Sequence, residues 1–265
     1  MARKKTVSEP VEKEENLPVV IDFEDDADSG LEAADSDSFA IPLLKVLQKV
    51  SPQCDKDDGA YIKGAVPGDF YNSVTNELYP GDKGVIVIPC NFKHTCIEWV
   101  PRDSGGGFVA EHNPTSPDIA ARTRLPNKAT ERLPNGNDIE DTRSHYCLLI
   151  KNDGSFESVL LPLTSTQIPV SKKWVTRIKS IRKPKSTGGV YNPASFSHMY
   201  RLTTITKSND KGSWKLIEID MVGPVTEPLI YGEAKALYNA VQAGAVQAQH
   251  DAPQTEKSVE EGTEY

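Results

Sequence analysis

Two pairs of apolar segments, each joined by a short polar turn, limit the folds available to this chain. HYCLLIK (145–151) and FESVLLPL (156–163) flank Asn-Asp-Gly at 152–154. Asparagine and glycine adopt positive φ angles at little cost, so this turn predicts a β-hairpin. MYRLTTITK (199–207) and SWKLIEIDMV (213–222) flank the turn SNDKG and predict a second hairpin.

Further segments extend this β pattern. GVIVIPCNFKHTCIEWV (84–100) is typical of a long strand, with a bend expected near Pro89. Helices are expected at 167–183 and 227–243. Antiparallel strands with an inserted helix fit a small Greek-key barrel of the OB-fold type, and an open α+β sheet fits nearly as well. The predicted fold class is therefore mainly β with helices.

A shorter helix is predicted before these strands, in SDSFAIPLLKVLQKV (36–50). Ser38 can cap its N-terminus, since a serine oxygen accepts a hydrogen bond from the first helical turn. The apolar face of this helix would comprise Leu43, Leu44, Leu47 and Val50.

The segment 101–144 fits neither strand nor helix. It contains three consecutive glycines at 105–107 and repeats Arg-Leu-Pro-Asn at 124–127 and 132–135. Loops this long within a compact domain are usually functional or disordered. We therefore expect a flexible insertion, and two interpretations stay open: an arginine-bearing flap that orders on a ligand, or an inert loop.

Charge is distributed unevenly along the chain. Residues 1–38 carry 4 basic and 12 acidic side chains, and residues 249–265 carry 1 and 5. Both segments have too few apolar groups to offset the entropy of ordering, so we expect two disordered acidic arms. The core between them, 39–248, is mildly basic with 25 basic and 21 acidic side chains.

One window of the core carries only positive charge. SKKWVTRIKSIRKPK (171–185) has no acid, and its cations are Lys172, Lys173, Arg177, Lys179, Arg182, Lys183 and Lys185. At 100° per residue Trp174 falls on an apolar stripe with Val170, Ile178 and Ile181, which predicts a core anchor. Because interspersed acids normally relieve repulsion on a solvated helix face, this face indicates a bound polyanion, or acids supplied by another segment.

Single-stranded nucleic acid is the polyanion that this pattern favours. Such strands bind grooves in which Lys and Arg contact phosphates and aromatic rings stack on bases. Alternation in 213–222 would bury Ile217, Ile219 and Met221 and leave Trp214 on the exposed face. Trp214 is thus one candidate outside the basic window. The others are Trp99 and Arg102, which lie just before the three glycines, and Tyr191, which follows the Gly188-Gly189 turn. The alternative is a scaffold protein whose basic helix docks an acidic protein surface.

Three stretches also carry a family resemblance. IPLLKVLQKVSPQ, GDFYNSVTNELYPGDKGVIVIPC and GGGFVAEH, in this order, resemble the single-stranded DNA-binding proteins of lytic coliphages that carry an RNA polymerase in the virion. The resemblance implies a protein that coats single strands in phage DNA replication and recombination. It also implies a role in late transcription through host RNA polymerase, contacted by the C-terminal region.

The C-terminal residues SVEEGTEY combine acids with a terminal aromatic residue, as single-strand-binding proteins commonly do where they dock partners. The candidate partner-binding residues are Glu260, Glu261, Glu264 and Tyr265. The expected partners are single-stranded DNA, host RNA polymerase and phage replication proteins.

Enzymatic and membrane functions have no support in the sequence. There is no Walker loop, GxGxxG, HExxH or GxSxG motif, so no enzyme activity and no cofactor are expected. His94 with Cys96, and His145 with Cys147, could meet around zinc if their strands were neighbours, but the usual CxxC pairs are missing. No apolar run approaches the length that spans a bilayer, and no secretory signal is evident, so we expect a location in the host cell cytoplasm.

Overall fold

The computed structural model describes residues 29–30, 40–126, 130–210, 212–246 and 248. The chain divides into two compact units, Met1–Phe39 and Ala40–Tyr265. Apart from Ser29 and Gly30, both predicted acidic arms lie outside the described residues, and their disorder stays a prediction. No described helix is long and apolar enough to cross a membrane.

The described part of the second unit contains thirteen strands and two α-helices. The strands are β1 (Leu44–Val46), β2 (Phe70–Asn72), β3 (Leu78–Tyr79), β4 (Val85–Trp99), β5 (Phe108–His112), β6 (Thr123–Arg124), β7 (Glu131–Arg132), β8 (Asp138–Ile150), β9 (Phe156–Thr164), β10 (Lys183–Pro184), β11 (Val190–Tyr191), β12 (His198–Asn209) and β13 (Gly212–Pro224). The helices are α1 (Ile168–Ser180) and α2 (Pro228–Gln242).

Eight strands form the main antiparallel sheet, which curls into a half-barrel. Its order is β13-β12-β4-β8-β7-β6, with β5 paired to β4 and β9 paired to β8. Strands β1 to β3 form a small second sheet, and β10 and β11 form a separate hairpin. The predicted mainly β fold with helices is confirmed.

The long central pair β4 and β8 creates two cores, one on each face of the sheet, because successive side chains of a strand point to opposite faces. One core includes Val87, Cys147, Leu149 and Trp174 and is covered by α1. The other includes Ile88, Cys90, Tyr146, Leu148 and Leu237 and is covered by α2. The two helices therefore lie on opposite sides of the sheet.

Both predicted hairpins are present, as β8–β9 and β12–β13. Gly154 in the first turn has a φ of 86°, as the Asn-Asp-Gly sequence requires. The irregularity expected near Pro89 is a register shift between Pro89 and Asn91 against β8. On β13 the expected alternation holds for the buried Ile217 and for Ile219, but it is wrong for Met221, which is 41% exposed near the end of this edge strand.

The helix predicted in 36–50 is wrong where the structure describes it, because residues 44–46 are a strand. Leu44 pairs with Asn72 on β2, and Leu43 forms a parallel bridge with Leu160 on β9. Leu43, Leu44 and Leu47 are buried as expected, but Val50 is 37% exposed. Sheet partners distant in the chain therefore override the local helical periodicity.

The prediction that 101–144 fits neither strand nor helix is also wrong. This segment supplies β5, β6, β7 and the first residues of β8, all joined to the main sheet. Ile119, Leu133 and Ile139 pack with Cys96 in a third apolar cluster. Strands β5, β6 and β7 carry no buried side chain, and β8 up to residue 144 buries only Ile139, Thr142 and Ser144. A strand with so few buried apolar side chains leaves no apolar alternation in the sequence.

Candidate nucleic-acid interface

Trp174 fixes α1 on the sheet, which confirms its predicted role as a core anchor. Its ring is 2% exposed and stacks on His145 at 4.5 Å between centroids. Tyr200 meets the same indole edge-on at 5.6 Å. His145 Nε2 lies 2.8 Å from Ser171 Oγ, so the helix is held by a hydrogen bond as well as by packing. The opposite face of α1 is left toward solvent.

Four cations of the basic window lie on α1, and all are exposed: Lys172, Lys173, Arg177 and Lys179. Arg177 differs from the three lysines because it contacts β13. Its Nη1 donates to the carbonyl oxygen of Ile219 and lies 3.9 Å from Asp220 Oδ1. Among the described residues the three lysines have no ion-pair partner. Within the part of the chain that the structure describes, an acid from another segment therefore approaches only Arg177.

The other cations of the window do not lie on a helix, which corrects the prediction of a helix to residue 183. Ile181 is extended and ends α1, and Pro184 lacks the N–H that a further turn would need. Lys183 pairs with Tyr191 across the β10–β11 hairpin. Arg182 Nη1 donates to the Lys179 carbonyl oxygen at 2.6 Å.

The hairpin is held against the end of α1 and continues its positive surface. Asn192, directly after β11, donates through Nδ2 to the carbonyl oxygens of Lys179 and Ile181. Lys185 lies at the exposed hairpin turn, and Tyr191, opposite Lys183, is 42% exposed. We define the basic surface as the side chains of Lys172, Lys173, Lys179, Arg182, Lys183, Lys185 and Tyr191.

The remaining predicted aromatic sites have different outcomes. The prediction that Trp99 stacks on a base is wrong. Its ring is only 6% exposed and meets Phe108 edge-on at 6.1 Å, so no base can stack on it. Trp214 lies opposite Lys207 on the face of β13 that points away from Ile217, as predicted, and is half-buried. The side chain of Arg102 lies outside the described residues.

A groove of about 350 Å³ runs along the seam between α1 and β13. Cations lie on both of its sides, Lys173 and Arg177 on α1 and Lys207 on β12. Its apolar lining residues are Val170, Trp174, Ile205, Leu216, Ile217 and Ile219. Two carboxylates, Glu218 and Asp220, also line it, and this mixed chemistry was not predicted from sequence.

Side-chain amides close the outer backbone edge of β13 beside this groove. Gln48 bonds both backbone groups of Lys215, accepting from its N–H at 2.8 Å and donating to its carbonyl oxygen at 3.1 Å. Gln167 donates to the same carbonyl oxygen and accepts from the Ile217 N–H at 3.2 Å. An exposed edge strand can pair with other chains, and these amides occupy the groups that such pairing would use. No sequence motif signals this arrangement.

A second cleft, of about 470 Å³, lies near the start of α1 and is lined by His94, Asp141 and Arg124 among others. Asp141 pairs with Arg143 at 3.0 Å, and its Oδ1 lies 3.0 Å from His94 Nε2. Burial lowers the pKa of His94; the negative charge of Asp141 opposes this shift, and the positive charges of Arg143 and Lys172 add to it. The second acid of this cleft, Glu131, lies 2.6 Å from Arg122 Nε through its Oε2, so both acids are already paired with neighbouring side chains.

The cysteine and histidine pairs weighed as zinc ligands are not brought together. On β4 and β8, His145 lies opposite Phe92, and His94 lies opposite Arg143. His145 Nε2 already forms a hydrogen bond with Ser171 Oγ. Burial together with the charge of Arg143 lowers the pKa of His145 to about 3. The residues that the structure describes include no group of three or more His, Cys, Asp or Glu placed to hold a metal ion.

The fold and this surface define a β half-barrel protein with a cationic helix and hairpin on one side of the sheet. Residues 11–247 match the family of Pam3 phage gp34-like proteins, and the chain belongs to that family. No curated protein and no solved structure matches the chain. The candidate partner-binding residues Glu260, Glu261, Glu264 and Tyr265 lie outside both the matched segment and the described residues.

Proposed function

We propose that this phage protein binds single-stranded DNA on the basic surface and coats it in replication and recombination. One observation carries the proposal: the exposed cations Lys172, Lys173, Lys179, Arg182 and Lys185 have no ion-pair partner among the described residues. Phosphate groups would neutralise them and release counterions from the strand, which favours binding. The proposed role needs no catalytic group and no cofactor.

The arrangement of these cations supports a flexible strand as the ligand. They follow α1 to its C-terminal end and continue into the β10–β11 hairpin, so they form a track and not a single pocket. Tyr191 lies on this track with an exposed ring, and a base stacked on an aromatic ring contributes roughly 1–3 kcal/mol. Stacking requires an unpaired base, which favours single strands over duplex.

The wider role of the protein rests on the resemblance described above. We propose that the C-terminal segment with Glu260, Glu261, Glu264 and Tyr265 contacts phage replication proteins and host RNA polymerase, and so takes part in late transcription. The chemistry that supports this is the combination of acids with a terminal aromatic residue.

A docking role on an acidic protein is the second candidate, and one contact favours it. Arg177 already lies 3.9 Å from the carboxylate of Asp220, so this side of α1 accommodates a protein acid. A scaffold protein of this kind would bind oligonucleotides weakly and without preference for single strands.

The test is a titration of fluorescent oligonucleotides at several salt concentrations. For a strand that contacts several phosphates, log affinity should fall linearly with log salt, by about 0.7 per phosphate. The charge-reversal variant Lys172→Glu, Lys179→Glu, Lys185→Glu should bind more weakly, with a slope shallower by up to about 2.

The matched control reverses three exposed lysines outside the basic surface, Lys56, Lys63 and Lys235, and so changes the net charge equally. It should retain most of the affinity and the slope. If both variants lost the same affinity, the effect would come from net charge and the assigned surface would be wrong. Binding that is no tighter for single strands than for duplex would favour the docking role.

A further inference from the structure

The groove between α1 and β13 contains carboxylates beside cations, which phosphate binding alone does not explain. Glu218 is exposed and has no hydrogen-bond or ion-pair partner among the described residues. It lines the same groove as Lys173 and Arg177. A free carboxylate repels phosphates, so in a groove that held only a strand's backbone it would weaken binding.

The β12–β13 register places an aliphatic surface next to this carboxylate. Thr203 lies opposite Glu218, Ile205 opposite Leu216, and the next outward pair is Lys207 and Trp214. These three pairs share one face, and neighbouring pairs are roughly 7 Å apart, since a strand rises ~3.3 Å per residue. An aliphatic pair thus lies between an acid and a cation.

This spacing suits one nucleobase. A base is apolar on its faces and polar along its edge, so a base that packs on Ile205 and Leu216 directs one edge toward Glu218. Its phosphates then lie near Lys207 on β12, the cation of the same face, while Lys173 and Arg177 line the groove from the α1 side of β13. The groove volume of about 350 Å³ falls in the range of roughly 300–1,000 Å³ found for small-molecule sites.

Resting on the proposed function, we propose that this groove is a base-selective subsite in which Glu218 accepts a hydrogen bond from an exocyclic amino group. Glutamate accepts such bonds from the N4 amino group of cytosine. Thymine has a carbonyl oxygen at the corresponding position, and that oxygen and the carboxylate repel each other. The subsite therefore selects cytosine over thymine.

The test compares oligo-dC and oligo-dT of equal length in one buffer at neutral to slightly alkaline pH. The full chain should bind oligo-dC more tightly by about fivefold or more, the low end of what one base contact contributes. In Glu218→Gln the amide can donate as well as accept, so this ratio should fall toward one, chiefly because oligo-dT binds more tightly.

The control variant is Glu227→Gln, which removes the same charge from an exposed glutamate at the start of α2. It should leave the dC-to-dT ratio unchanged. Because each ratio is taken within one protein, the properties of the free oligonucleotides cancel between variants.

Three outcomes would overturn the inference. If the unmodified protein bound both oligonucleotides equally, the groove would not select a base. If Glu218→Gln tightened the binding of both oligonucleotides by the same factor, the carboxylate would act only by repelling phosphates. In both cases the proposed binding of single strands would still stand. If neither oligonucleotide bound, the proposed function would fail together with the subsite.

Discussion

Acid should loosen the attachment of α1 through the buried His145. Burial and the charge of Arg143 lower the pKa of this imidazole from 6.5 to about 3. In the unfolded chain it titrates near 6.5, so between pH 6.5 and pH 3 the unfolded state binds one more proton than the folded state. Stability from the neutral imidazole is therefore complete above pH 6.5 and is lost as pH falls.

The size of the effect follows from the pKa difference. Each pH unit below 6.5 removes about 1.4 kcal/mol, so His145 alone should remove about 2 kcal/mol by pH 5. The charged ring would lie against the face of Trp174 and within the core under α1. Since α1 carries much of the basic surface, strand binding should weaken over the same pH range.

The assay is urea unfolding at a series of pH values between 7.5 and 4.5 for the unmodified protein and for His145→Gln. Glutamine can still bond Ser171 but does not titrate, so this variant should begin less stable and lose about 2 kcal/mol less by pH 5. Burial also lowers the pKa values of His94 and His198, but their contributions are the same in both proteins.

A second variant separates lost packing from lost titration. Phe92→Leu removes a ring that lies 5.0 Å from His145 but keeps the imidazole, so it should be less stable and equally sensitive to acid. Parallel stability curves for His145→Gln and the unmodified protein would refute the reasoning, because the histidine would then not be the group that titrates.

Two further predictions concern the framework of the site. Gly81→Ala should destabilise the protein by several kcal/mol in thermal unfolding, because a Cβ there would lie 1.9 Å from the Gly68 carbonyl oxygen. Gly232→Ala on the open surface of α2 is the control, and it should stabilise the protein by up to about 1 kcal/mol because alanine has the higher helix propensity. Gln167→Ala should cost about 1–3 kcal/mol in urea unfolding, because it leaves the Ile217 N–H without its acceptor; an unchanged midpoint would show that water replaces the amide.

Local patterns predict the parts of this fold that depend on neighbours in sequence. The turn at 152–154 fixes a hairpin because Gly154 can adopt a positive φ, and this holds in any context. Helical periodicity likewise placed Trp174 in the core, since only one face of α1 is apolar. The cations of the basic window were found because an absence of acids is visible in the sequence alone.

Elements that depend on distant partners were missed or misassigned. Leu44 lies in a strand because β2 and β9 are beside it, although its own segment has helical spacing. The segment 101–144 joins the sheet because β4 is long enough to pair with β5 as well as β8. Whether a segment becomes a strand depends on which other strands lie next to it in the sheet, and a local sequence pattern does not contain this information.

The basic surface and the groove also combine features that the sequence shows with features that only the packing creates. The amino-acid sequence specifies how many cations the window 171–185 holds, that they lack acids nearby in the chain, and where a helix begins. It does not specify that Arg177 reaches Ile219 and Asp220, or that Glu218 faces the same groove. These contacts join residues about forty positions apart, and they exist because packing of Trp174 on the sheet brings α1 alongside β13. Charge pattern and turn chemistry are properties of short segments, whereas the groove and its carboxylates arise from packing between segments.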